Sequence, residues 1–177
     1  MSVRAFIAVG SNIDAERNVA SALELLGRRV RIVAVSRFFR TPELGAPDSP
    51  DFLNGVVEIE SELGPSELKR LVLLEVENEL GRERGAEKNA PRTIDLDLVL
   101  HGELVCSEEG LVLPAPEILE RAFVALPLLE LEPELVLPGT DRPLRELAAG
   151  LSSSEMAPAE LFNARLRRVE RSRKENG

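Results

Sequence analysis

The chain has 177 residues, 44 % of them hydrophobic, enough for one domain with a substantial core and too few for two full ones. Its formal charge of −9, with 22 Lys and Arg against 31 Asp and Glu, argues against nucleic acid as a partner. One cysteine, Cys106, excludes an intramolecular disulfide, and one histidine, His101, excludes a histidine-rich metal centre.

In chain order, Val3 to Val9 reads as a strand broken by Gly10-Ser11-Asn12. Asp14 is placed to cap a helix whose inner face is Val19, Ala22, Leu23 and Leu26, ending at Gly27. Val30 to Phe39 is a β-branched, apolar run, followed by a Pro/Gly/Asp loop from Thr41-Pro42 to Pro50. Phe52 to Ile59 alternates as a strand. Gly64-Pro65 then opens a second helix, with Leu68, Leu71, Val72 and Val76 inward and its end at Gly81.

The polar loop 81-GRERGAEKNAP-91 leads into a further strand, 91-PRTIDLDLVLH-101, and a hairpin through His101-Gly102 to Leu104-Val105. Ile118 to Leu131 reads as a helix interrupted at Pro127, and the serine cluster near residue 152 leads to a last, basic helix. Residues 160–177 hold six Lys and Arg against three Glu, a pattern of a solvated terminal helix, so the other 159 residues carry −12. The order predicts an α+β, ferredoxin-like βαββαβ core, an antiparallel sheet with helices on one face, plus C-terminal additions. No run approaches the ~18–20 apolar residues of a membrane span. The opening MSVRAFIAVG lacks a signal-peptide layout, so a cytoplasmic protein with no membrane partner is expected.

The chemistry concentrates in the strand that carries two aspartates. Alternation puts Thr93, Asp95, Asp97 and Val99 on one face, and Ile94, Leu96, Leu98 and Leu100 on the other. Two carboxylates ~7 Å apart repel by about 2 kcal/mol at an effective dielectric of about 20. A solvent-exposed face tolerates that, and so does a site where a cation or arginines absorb it. Arg82, Arg84, Lys88 and Arg92 immediately precede the pair. Hard oxygen ligands beside forked guanidinium donors suit magnesium bound to phosphates. No GxxxxGK[ST] loop is present, so a nucleotide site here is of another kind. On the strand before, Phe52, Asn54 and Val56 share a face, delivering a ring and an amide together.

The segments Gly10-Ser11-Asn12, Arg40-Thr41-Pro42, 51-DFLN-54, 91-PRTIDLD-97 and 121-RAF-123, in that order, resemble the 6-hydroxymethyl-7,8-dihydropterin pyrophosphokinases of folate biosynthesis. The resemblance spans roughly residues 3–145. It implies ATP-dependent transfer of a diphosphate to the pterin hydroxymethyl group, with two Mg2+ ions expected with ATP. It implies a pyrophosphokinase domain over residues 1–150 and a helical extension over 151–177, in a monomer or weak homodimer. Asp95 and Asp97 match the metal-binding aspartates, and with Arg82 and Arg92 the catalytic set. Glu77, Arg82, Arg84, Arg92, Leu98 and Arg121 match positions near ATP. Asn12, Thr41, Pro42, Leu44, Phe52, Asn54 and Phe123 match the pterin pocket. Two departures stand out: Ala115 where the family usually has histidine, and Asn89 where a larger residue is common. Ala115 leaves open a pterin- or nucleotide-binding homologue with weakened catalysis; a magnesium-dependent phosphoesterase lacks a third metal ligand.

Overall fold

The computed structural model describes residues 1–43, 45–82 and 92–175. Strand β1 (Val3–Ser11) leads to helix α1 (Ala15–Gly27), β2 (Arg31–Val35), β3 (Phe39–Thr41) and β4 (Phe52–Ser61). Helix α2 (Pro65–Leu68), a widened π-type turn over Lys69–Leu73 and α3 (Leu74–Glu79) form one rod before β5 (Asp95–His101). The small hairpin β6 (Cys106–Glu108) and β7 (Leu111–Leu113) precedes α4 (Glu117–Glu120) and α5 (Ala122–Leu131). A second small hairpin, β8 (Val136–Leu137) and β9 (Arg142–Pro143), precedes α6 (Leu144–Leu147), β10 (Ala157–Pro158) and α7 (Glu160–Glu175).

The main sheet runs β10-β3-β4-β1-β5, with β2 also paired to β4, and every pairing is antiparallel. The expected sheet with helices is therefore present. Its helix-side core gathers Ile7, Val9, Leu53, Val57, Ile59, Leu96 and Leu98 against Val19, Leu26, Leu68, Val72 and Val76. The opposite face is not left entirely open. Phe6, Val56, Val99 and Leu100 pack there against Ile118, Val124, Leu128 and Leu144. Ion pairs from Arg37 to Glu130 on α5 and from Arg4 to Glu132 just past its end fasten that helix across the face. The part left uncovered is the end of the sheet near Gly10, Phe52 and Asp95.

Several local expectations are corrected. Asp14 does not cap α1 with its side chain; it sits in a left-handed conformation, φ 40°, and its carbonyl accepts from Asn18. Leu71 is exposed and Leu73 is buried, because the widened turn at Lys69–Leu73 advances the buried face beyond regular helical spacing. The apolar run 30–39 splits into two strands at Ser36–Phe38. The hairpin after His101 does not form; β6 pairs with β7 instead. The break in the later helix falls at the extended Arg121 (φ −126°, ψ 114°), with Pro127 inside α5.

A β-bulge between Phe6/Ile7 on β1 and Leu98/Leu100 on β5 moves Leu100 onto the same face as Val99. The strict alternation expected for β5 thus holds only from Ile94 to Leu98. Beyond the bulge, His101 pairs with Ala5, and its Nε2 lies 3.1 Å from the Leu63 carbonyl. The segment after Leu151 adds β10 to the sheet edge, and α7 sends Phe162 into the helix-side core. Among the described residues no helix is long and apolar enough to cross a membrane.

Candidate active site

The uncovered end of the sheet is a cleft of about 500 Å³. Its floor is Ala8, Gly10, Asn54, Asp95 and Asp97; Thr41, Pro42 and Phe52 form one wall; Arg121 and Phe123 form another. Cross-strand register explains the floor, because Gly10 lies opposite both Asn54 and Asp95, and Ala8 lies opposite Asp97. Period-two alternation then turns all of these to one face. Gly10 is required by space: a Cβ there would lie 2.5 Å from Asn54 Oδ1.

The Gly10-Ser11-Asn12 segment anchors the start of the aspartate strand. Ser11 Oγ donates to the Thr93 carbonyl at 2.6 Å, and Asn12 Oδ1 accepts from the Arg92 backbone N–H at 2.7 Å. Asn12 is buried and does not line the cleft; it fixes Arg92, which does. Asn54 Nδ2 donates to Thr41 Oγ1 at 2.7 Å, tying the ring-side wall to the floor.

Around the carboxylates the arginines behave as the sequence suggests they could. Arg82 Nη1 donates to Asp95 Oδ1 and Arg92 Nη1 to Asp95 Oδ2, each at 2.7 Å. Arg82 also pairs with Glu77, which is buried on α3 and whose Oε1 accepts from the Leu96 backbone N–H at 2.9 Å. Burial opposes the charge on Arg82, but Asp95 and Glu77 outweigh it and hold its pKa above the ordinary value. Asp97 has no such partner among the described residues. The cleft walls desolvate it, and Asp95 and Glu77 repel it, so its pKa is pushed up to about 7. The side chain nevertheless keeps contact with solvent through the cleft mouth.

This donor set fits magnesium carried by phosphates. Asp97 offers hard oxygens claimed by no hydrogen bond among the described residues, in a spot where negative charge is in excess. No group of three or more His, Cys, Asp or Glu among the described residues could by itself hold a metal ion. A metal at this pair therefore needs ligand oxygens to complete its shell.

Arg92, Asp95, Asp97, Thr41, Pro42, Phe52, Asn54, Arg121 and Phe123 all line the cleft. Leu98 does not line the cleft with its side chain, which is buried in the helix-side core as the alternation predicts. Leu96 donates its N–H at the open edge of β5, and the residue two along, Leu98, turns its backbone the same way. Leu44 and Arg84, with Lys88 and Asn89, lie outside the described residues. Two charged cleft residues were missed, Glu43 and Glu117. Glu117 opens α4, which ends at the extended Arg121, so helical spacing gave no signal for it. Ala115 is buried in the open-face cluster and does not line the cleft, so nothing among the described residues of the site favours a weakened enzyme.

Comparison with known proteins points to one family. Residues 6–133 match the family model described as 7,8-dihydro-6-hydroxymethylpterin-pyrophosphokinase. A 2-amino-4-hydroxy-6-hydroxymethyldihydropteridine pyrophosphokinase of Methylorubrum extorquens is 42 % identical over 154 residues, covering 85 % of this chain and 95 % of that one. The Bacillus subtilis protein of that name is 42 % identical over 130 residues, 72 % of this chain and 77 % of its own. The Schizosaccharomyces pombe folic acid synthesis protein fol1 is 40 % identical over 152 residues; the match covers 84 % of this chain but only 20 % of that protein. The chain belongs to the 7,8-dihydro-6-hydroxymethylpterin pyrophosphokinase family.

Proposed function

We propose that this chain is the pyrophosphokinase of folate biosynthesis, moving the terminal diphosphate of ATP onto the hydroxymethyl group of 6-hydroxymethyl-7,8-dihydropterin. The observation that carries the reading is that one cleft holds an acid pair with arginines and, beside it, two rings and an amide. The polyphosphate belongs at the first set and the flat heterocycle at the second. All of these groups come from one chain, so the reading needs no partner subunit.

Phe52 and Phe123 offer ring faces to the pterin, while Asn54 and the Thr41–Pro42 segment address its polar edge. Arg92, Arg121 and Arg82 meet phosphate charge, and Glu77 keeps Arg82 near Asp95 until ligand arrives. Leu98 serves through its backbone at the open edge of β5. Asp95 and Asp97 would hold magnesium, two ions being expected with ATP. Bound there, the metal supplies charge neutralisation on the phosphate oxygens.

In the reaction, the pterin hydroxyl oxygen forms a bond to the β-phosphorus as the bridging oxygen between the α- and β-phosphorus atoms departs with AMP. The hydroxyl proton passes to the Asp95–Asp97 pair. The protein's work is placement and charge, which dominate phosphoryl-type transfer. Incubation with ATP, Mg2+ and the reduced pterin alcohol tests this: AMP and pterin diphosphate are expected in equal amounts, and Asp97→Ala is expected to yield neither. Release of ADP or inorganic phosphate alone would refute it.

A further inference from the structure

The C-terminal segment lies outside the stretch that matches the family model, yet it grips the sheet directly behind the ring-binding floor. The gap between β2 and β3 is its point of attachment. At Phe38 the backbone turns from β4 toward α7: the Phe38 N–H donates to Asn163 Oδ1 at 2.8 Å. Asn163 Nδ2 donates back to the Phe38 carbonyl at 3.0 Å, and the Ala159 N–H reaches the same carbonyl at 3.0 Å. Asn163 is 2 % exposed and Phe38 is fully buried, so water cannot replace these bonds.

Phe38 transmits this grip to the cleft in two ways. Its ring lies flat on Gly55, where a Cβ would sit 2.8–2.9 Å from three ring atoms. Gly55 lines the cleft between Asn54 and Val56, so the ring backs the floor from the opposite side of the sheet. Phe162 meets the Phe38 ring edge-on, with centroids 5.6 Å apart at 88°. Along the chain, Phe38 leads into Phe39–Thr41, whose register against β4 places Thr41 to receive the Asn54 amide. β10 pairs with the outer edge of that same short strand.

We infer that Asn163 and Phe162 are positioning residues for the pterin half of the cleft, setting Thr41 and Asn54 through Phe38 without touching substrate. This rests on the reading of that half as the pterin site. It predicts a selective defect, because the acid pair lies on β5, and Arg82 and Arg92 are held to Asp95, away from α7.

The test is steady-state kinetics on Asn163→Ala, Phe162→Leu and, as a control on α7, Leu166→Ala, with 6-hydroxymethylpterin fluorescence as a separate binding readout. Phe162→Leu keeps apolar volume, so it remains informative if Asn163→Ala folds poorly. The expected result is a rise of about tenfold in the pterin KM and Kd for the first two variants, since small misplacements of binding groups cost that much or more. ATP KM should stay within about twofold, and Leu166→Ala should match wild type. Equal loss for both substrates, or none for either, would overturn the inference. A wild-type protein that binds no pterin would overturn both it and the functional reading, and the wild-type arm tells these apart.

Discussion

Arg82 Nη1 lies 2.7 Å from Asp95 Oδ1, so a guanidinium holds an oxygen that the proposed chemistry assigns to a metal. In the proposed chemistry Arg82 exchanges Asp95 for phosphate when nucleotide and cation bind. An arginine that engages charge developing in the transition state contributes to turnover more than to ground-state affinity. Arg82→Ala should therefore lower kcat roughly 100- to 1,000-fold, the loss typical of one removed transition-state donor. The ATP KM should move by less than about threefold. Initial-rate kinetics with both substrates varied would show it; a loss confined to ATP affinity would count against the assignment.

Glu77 stands behind that exchange. It is 2 % exposed, accepts from the Leu96 backbone and pairs with Arg82. Glu77→Ala should cost roughly 3 kcal/mol of stability, as breaking a buried pair does. Glu77→Gln, which keeps an oxygen for Leu96, should cost less. Urea unfolding of the ligand-free protein distinguishes the two, and equal midpoints would contradict the role given to that oxygen.

Gly10 and Asn54 meet across β1 and β4 with no room between them. Gly10→Ala should push the Asn54 amide out of place and raise the pterin KM about tenfold, equivalent to about 1.4 kcal/mol. The ATP KM should be spared. Gly64→Ala is the control, because a Cβ there would meet nothing closer than 3.8 Å. Matching kinetics for the two variants would show that the close contact does not matter.

Asp97 makes the ligand-free protein pH-sensitive. Its ordinary value of 3.8 rises to about 7 in the fold, so between these values the folded chain holds more proton than the unfolded one. Stability from this group is thus full below pH ~4 and is lost as pH rises through about 7. Asp97→Asn should exceed wild type by about 1 kcal/mol at pH 8, after discounting for solvent contact, and converge with it near pH 4. Unfolding midpoints in chelator across that range check the sign; a variant less stable at pH 8 would contradict it.

Much of this site was legible because strand alternation is strict where it matters. Asp95 and Asp97 interleave with Leu96 and Leu98, and that alone put both acids on one face. Phe52 and Asn54 follow the same rule. What was hidden depends on contacts distant in sequence. Leu100 changes face only because β5 bulges against β1. The run 30–39 looks continuous, yet Phe38 leaves the ladder because Asn163, 125 positions later, takes its backbone bonds. Leu71 was misplaced because the π-type turn leaves no trace in hydrophobic spacing. The helix breaks at Arg121, where the proline at 127 suggested the wrong place, and Glu117 of the short α4 before the break lines the cleft.

The central claim is that the Asp95–Asp97 pair grips cations carrying the nucleotide's diphosphate. A crystal structure with Mg2+ and a non-hydrolysable ATP mimic tests it most directly. The account predicts metal within about 2.1 Å of oxygens from both aspartates and from the polyphosphate, with Arg82 moved from Asp95 onto phosphate. Nucleotide bound elsewhere, with Asp95 still held by both arginines and Asp97 facing only water, would contradict it.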